Sequence, residues 1–96
     1  MPKGYWIAHV DVFNPERYPG YMQAARPAYE KYGAKFIVRG GRFEAVEGKA
    51  RGRHVVVEFE SYDKAVVCYR SPEYQAAAKI RRENAEGDVL IVEGAD

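Results

Sequence analysis

The chain has one cysteine, Cys68, and that scarcity excludes an intrachain disulfide and any cysteine-rich metal site. It fits a reducing compartment. Two histidines, His9 and His54, fall on separate predicted strands with no third ligand at useful spacing, so no metal is expected. Charge of one sign is also missing. Fifteen basic against fourteen acidic residues leave a formal +1, and no net field recommends nucleic acid or an anionic membrane. Apolar runs stay far below the roughly 20 residues needed to span a bilayer, and no apolar stretch follows Met1 as in a secretion signal. A soluble cytosolic protein is the expectation. The glycines build no phosphate loop, because neither Gly40-Gly41 nor Gly48 leads into a helix.

What remains is 47% hydrophobic and 14% aromatic over 96 residues, enough for one folded domain, residues 1–96, and too much for disorder. Gly4 to Val12 is rich in β-branched and aromatic residues and stops at Asn14-Pro15, which marks a strand. Asn14 as N-cap and Pro15 as first helical residue open a helix to about Tyr32, with Gly33 beyond it as C-terminal cap. Tyr18, Tyr21, Met22, Ala25, Ala28, Tyr29 and Tyr32 share one of its faces. Pro19 and Pro27 predict a ragged start and a kink.

A second strand is read from Lys35 to Val46, broken by Gly40-Gly41, and a third from Arg53 to Glu60 after a polar turn. Ser61 caps a short helix, and Ser71-Pro72-Glu73 restarts it for a run to about Glu86. Gly87 ends that helix and Asp88 to Glu93 forms the last strand.

The order β-α-β-β-α-β is the split βαβ, or ferredoxin-like, arrangement: an α+β fold with a four-stranded antiparallel or mixed sheet and both helices on one face. Right-handed crossovers are read as making strands one and three parallel neighbours. Alternation turns Trp6, Ala8, Val10, Phe36, Val38, Val55, Val57 and Phe59 toward the helices. The opposite face receives Tyr5, Ile7, His9 and Asp11, then Ile37, Arg39, Gly41 and Phe43, then His54, Val56, Glu58 and Glu60. Strand four adds either Val89, Ile91 and Glu93 or Leu90 and Val92. That face is too apolar for water and too charged for an ordinary core, so a second copy of the chain or a ligand is expected to cover it. A turn centred near Lys49 and Ala50 would set Gly41 opposite Glu58 and Arg39 opposite Glu60.

Gly4-Tyr5-Trp6, Arg39-Gly40-Gly41-Arg42-Phe43-Glu44, Glu47-Gly48, Val57-Glu58-Phe59, Ser71-Pro72-Glu73-Tyr74-Gln75 and Arg81 together resemble the family called domain of unknown function 1330. The resemblance spans nearly the whole chain. It implies a protomer of the dimeric α/β-barrel superfamily, which includes cofactor-independent oxygenases, isomerases, haem-binding enzymes and stress proteins. One departure is Glu60, where the family often has proline.

Two catalytic candidates follow, His9 and Glu58, each able to handle a proton. Arg39, Gly40, Gly41, Tyr69, Tyr74 and Arg81 are the candidate ligand-binding residues. Bland roles compete with each. Glu58 with Arg39 would equally make an interface ion pair, His9 a hydrogen-bonded structural histidine, Tyr69 and Tyr74 core, and Arg81 a side chain whose head reaches water. Cys68 reads as a buried small hydrophobe. An RNA-recognition module shares the strand order, but Arg53, Val55 and Glu58 stand where its stacking aromatics belong. The expected function is binding of a small organic molecule, anionic or carbonyl-bearing, by a homodimer without cofactor. It is joined either to proton-transfer or oxygenase-type chemistry or, in the alternative, to no catalysis, the buried charges only fixing the dimer.

Overall fold

A computed structural model describes residues 2–96. Seven elements follow one another: β1 (Gly4–Val12), α1 (Tyr18–Tyr32), β2 (Lys35–Arg39), β3 (Arg53–Phe59), α2 (Tyr62–Arg70), α3 (Pro72–Asn84) and β4 (Ala85–Glu93). They build one sheet of order β2-β3-β1-β4. β1 pairs antiparallel with β3 and with β4, which corrects the parallel pairing expected for strands one and three. The reason is topological. The crossover through α1 sets β2 parallel to β1, and β3, returning from β2, runs against both as it inserts between them.

Local signals explain most boundaries. Ser61 Oγ accepts from the Lys64 amide and Ser71 Oγ from the Tyr74 amide, so each serine closes a helix start as its sequence context implies. Gly33 ends α1 at φ 69°, a left-handed conformation that glycine adopts without strain. Two ends differ from expectation. Residues 15–17 form a turn, and α1 starts at Tyr18 with Pro19 in its first turn, where a missing amide does no harm. Asn14 is diverted from capping because its side chain donates to Asn84 Oδ1 (3.1 Å). Asn84 also donates to the Ile80 carbonyl (2.8 Å), and its own carbonyl accepts from the amides of Phe13 and Asn14. That knot stops α3 at Asn84, so Gly87 lies within β4, opposite Val10, where a Cβ would strike the His9 carbonyl.

The core lies between sheet and helices. Trp6, Val57 and Phe59 meet Ala65, Cys68, Tyr74, Ala77 and Ala78, all of them buried. Burial pushes the Cys68 thiol up to about 12, which leaves it an inert packing group. α2 and α3 rest on β1 and β4, whereas α1 packs chiefly against α3 and stands off the strands. The alanine faces of α1 and α3 permit their close approach. The stand-off leaves β2 and β3 thinly covered.

Candidate ligand cavity

Where α1 stands away from the sheet there is a cavity of about 330 Å³. Its floor is apolar, made by Trp6, Ala8 and Val10 of β1, Val55 and Val57 of β3 and Phe36 of β2. Tyr18, Tyr21, Met22 and Tyr29 of α1 form one wall, and Tyr74 and Arg81 of α3 close the end. Trp6 is fixed beneath them because its indole Nε1 donates to the Ala65 carbonyl (2.9 Å) and its ring packs on Tyr74 at 4.6 Å.

Hydroxyls in this wall are ordered by one guanidinium. Arg81 Nη1 donates to the Tyr74 hydroxyl (2.7 Å), and Tyr74 lies 2.8 Å from the Tyr21 hydroxyl, itself 3.2 Å from that of Tyr29. Tyr74 accepts from Arg81 and shares one proton with Tyr21, either hydroxyl donating; where Tyr74 donates, the Tyr21 proton is left for Tyr29 or a ligand. Burial pushes the Tyr29 and Tyr74 hydroxyls up, with Tyr21 adding to both, so both stay protonated as donors. Burial opposes the Arg81 charge, but Tyr74 and Tyr21 outweigh it and the guanidinium stays protonated.

Four arginines line the cavity, Arg26, Arg39, Arg53 and Arg81, against a single carboxylate, Glu30. Arg39 reaches it through a bulge. Phe36 pairs with Val57 but Val38 pairs with Val56, so the strand gains a residue and every side chain beyond it changes face. Arg39 therefore stands opposite Val55 with its guanidinium 3.9 Å from the Phe36 ring centre, not opposite Glu60. Arg53 sits diagonally across from it, and burial raises the hydroxyl of neighbouring Tyr18 against the pull of the Arg53 charge.

The double glycine also changes meaning. β2 ends at Arg39, and residues 40–52 form no strand. Gly40 has φ 64°, and a Cβ there would fall on the Arg53 guanidinium, so glycine lets that side chain lie across the backbone. Gly41 meets nothing nearby. Glu58 lies opposite Tyr5 and Lys35, on the other side of the sheet from the cavity, and makes a 3.5 Å ion pair with Lys3.

On that open side His9 Nδ1 lies 2.7 Å from His54 Nδ1, and Phe43 covers His54 with ring centres 4.4 Å apart. One Nδ1 must carry a proton and the other must not. Arg51 bridges Asp11 (2.8 Å) and Asp88 (3.1 Å) beside the pair. The Gly52 amide, then Arg51, hold the Asp11 carboxyl low against desolvation. Among the described residues no three His, Cys, Asp or Glu side chains are grouped to hold a metal ion. Strand four contributes Leu90 and Val92, which face Ile7 and Tyr5.

The structure thus brings Arg39, Tyr74 and Arg81 together, with Gly40 beneath Arg53, and separates them from His9 and Glu58. Tyr69 faces a neighbouring hollow with Arg70, Gln75 and Ile91. Tyr18, Tyr21, Tyr29, Arg26, Glu30 and Arg53 are among the lining residues that sequence reasoning passed over as sites. The tyrosine-rich face of α1 was the available signal.

A family model described as a domain of unknown function, DUF1330, matches residues 3–95. The chain belongs to this family. Among solved structures it is similar to a Rhodopseudomonas palustris protein of unknown function, 19% identical, with a TM-score of 0.75 over 99% of this chain and 84% of that one. SnoaB, a cofactor-independent oxygenase from Streptomyces nogalater, is 9% identical, with a TM-score of 0.66 over 100% and 96% of the two chains. A dimeric protein of unknown function and ferredoxin-like fold from Bacteroides fragilis is 17% identical, with a TM-score of 0.57 over 95% of each. These likenesses establish the ferredoxin-like fold. No curated protein matches the chain. Among the described residues no helix is long and apolar enough to cross a membrane.

Proposed function

We propose that this DUF1330 member binds a small organic molecule, anionic or carbonyl-bearing, in the cavity between α1 and the sheet, and works as a cytosolic homodimer. The observation that carries the reading is an apolar floor under four arginines, beside the ordered Arg81–Tyr74–Tyr21 hydroxyl chain. Its volume sits at the small end of the roughly 300–1,000 Å³ of ligand pockets. Dimerisation would use the open sheet face, where Ile7, Val56, Leu90 and Val92 lie to one side of the histidine pair.

The chemistry this wall can support is proton transfer without a cofactor. A carbonyl oxygen placed at Tyr21 would gain negative charge as a neighbouring C–H gives its proton to Glu30, the carboxylate of the lining, directly or through water, and the Tyr21 donor, backed by Tyr74 and Arg81, would stabilise that enolate. Cofactor-independent oxygenase is the activity named for one neighbour of this fold. A second reading, binding without turnover, is favoured by one fact: the lining offers a single carboxylate, Glu30, and no imidazole as base.

Titration with 4-hydroxybenzaldehyde, 4-hydroxybenzyl alcohol and 4-hydroxybenzoate tests the cavity, read by the fluorescence of Trp6, the chain's single tryptophan. Saturable quenching by at least one of them that disappears in Ala8→Phe, which fills the floor, is expected. No saturation with any of the three would reject the site.

A further inference from the structure

Two guanidiniums, Arg39 and Arg53, share the mouth of the cavity. Arg39 and Arg53 lie on adjacent strands as diagonal neighbours on one face, where long side chains reach each other. Neither belongs to any ion pair among the described residues. Like charges so placed repel. The Arg53 Nε is in addition shut off from solvent with no hydrogen-bond partner, an unmet donor that a folded chain normally satisfies. Its position is built in, since Gly40 leaves the space its guanidinium occupies and Tyr18 lies below it, 5.8 Å from ring centre to guanidinium carbon.

The other end of the cavity has a different character. Arg81 is already engaged by Tyr74 and approaches the Tyr21 ring at 5.8 Å, so what it offers a ligand is the neutral donor at Tyr21. Tyr18 and Tyr21 lie between the two ends with ring centres 5.4 Å apart, over the apolar floor. The cavity is therefore graded, with free positive charge at one end, flat apolar surface in the middle and a neutral hydroxyl at the other.

Resting on the binding reading above, we infer that the ligand is a flat organic acid: its carboxylate is held between Arg39 and Arg53, and its far end carries a hydroxyl or carbonyl oxygen that meets Tyr21. A carboxylate matches the planar fork of a guanidinium and accepts charge-assisted hydrogen bonds. It would neutralise the two guanidiniums and remove the repulsion between them. The ring plane would lie on the floor formed by Phe36, Val55 and Val57.

The test compares 4-hydroxybenzoate with its neutral counterpart 4-hydroxybenzyl alcohol and with inorganic phosphate, again through Trp6 fluorescence. The acid should bind about ten to a hundred times more tightly than the alcohol, the range expected of hydrogen bonds to a charged group. Arg39→Gln and Arg53→Gln should each remove most of that preference while leaving the alcohol's affinity unchanged, which also shows that the variants remain folded. Acid and alcohol binding equally, or a preference that survives both substitutions, would overturn the carboxylate assignment and leave the cavity reading standing. Phosphate competing as well as the acid would overturn the flat-acid class in favour of a general anion site. Failure of both aromatic probes to bind would overturn this inference, while 4-hydroxybenzaldehyde decides whether the cavity reading falls with it.

Discussion

The two faces of the sheet carry similar kinds of residues and use them oppositely. Toward α1, aromatic and cationic side chains surround empty space: the Arg81–Tyr74–Tyr21 chain ends on a hydroxyl in the cavity wall, and Arg39 and Arg53 belong to no ion pair among the described residues. On the open side, charge is largely matched within the chain. Glu58 has Lys3, Asp11 and Asp88 share Arg51, and His9 has His54, while Leu90 and Val92 stay exposed. Unmet charge over a cavity asks for a small ligand, and unmet apolar area on a flat sheet asks for another protein surface. Position on the pleat decides which need a residue expresses.

The largest effect should come from the shared end of the cavity. Tyr74→Ala removes a fully buried ring together with the contacts it makes to Trp6 and Tyr21, and a loss of about 3–5 kcal/mol is expected by urea unfolding. Tyr74→Phe keeps the ring but leaves Arg81 and Tyr21 without their partner, at about 1–3 kcal/mol. On the open face, Leu90→Asp should shift sedimentation from dimer to monomer at micromolar concentration and leave 4-hydroxybenzoate binding unchanged. If it abolished ligand binding too, the two faces would not be separable.

Alkaline pH separates the faces by linkage. Unfolded tyrosines ionise near pH 10, whereas Tyr29 and Tyr74 are held protonated in the fold, chiefly by burial. Their contribution to stability is therefore complete below about pH 10 and is lost progressively above it, as the unfolded chain releases protons that the folded one keeps. Urea midpoints should be flat from pH 8 to 9 and fall by pH 11, with a shallower fall in Tyr74→Phe. The smallest effect belongs to Glu58→Gln. An exposed lysine partner makes this pair worth about 0.5 kcal/mol or less, and ligand affinity should not change. A large loss of affinity would return Glu58 to the site.

Most of the fold was legible in local chemistry. Ser61, Ser71-Pro72 and Gly33 each mark a boundary by a hydrogen bond or a backbone angle that few other residues supply. Alternation placed Trp6, Val57 and Phe59 in the core because a strand period of two has no freedom while the strand is regular. The direction of β3 against β1 and the start of α1 were misread, and in β2 the facing and register failed beyond an irregularity. One extra residue between Phe36 and Val38 moved Arg39 to the cavity side, and a loop from Gly40 onward removed the register that had set Gly41 against Glu58. Bulges leave little trace in composition. The cavity itself depends on how far α1 stands from the sheet, a distance set by tertiary packing on α3.

The division of labour between the faces is tested most directly by an amide correlation spectrum of the isotopically labelled protein during titration with 4-hydroxybenzoate. Shifts should concentrate at the Trp6 indole and at Tyr21, Phe36, Arg53 and Val55, with His9, His54, Val56 and Leu90 unmoved. Shifts centred on His9 and His54 would place the ligand on the open face and contradict the assignment.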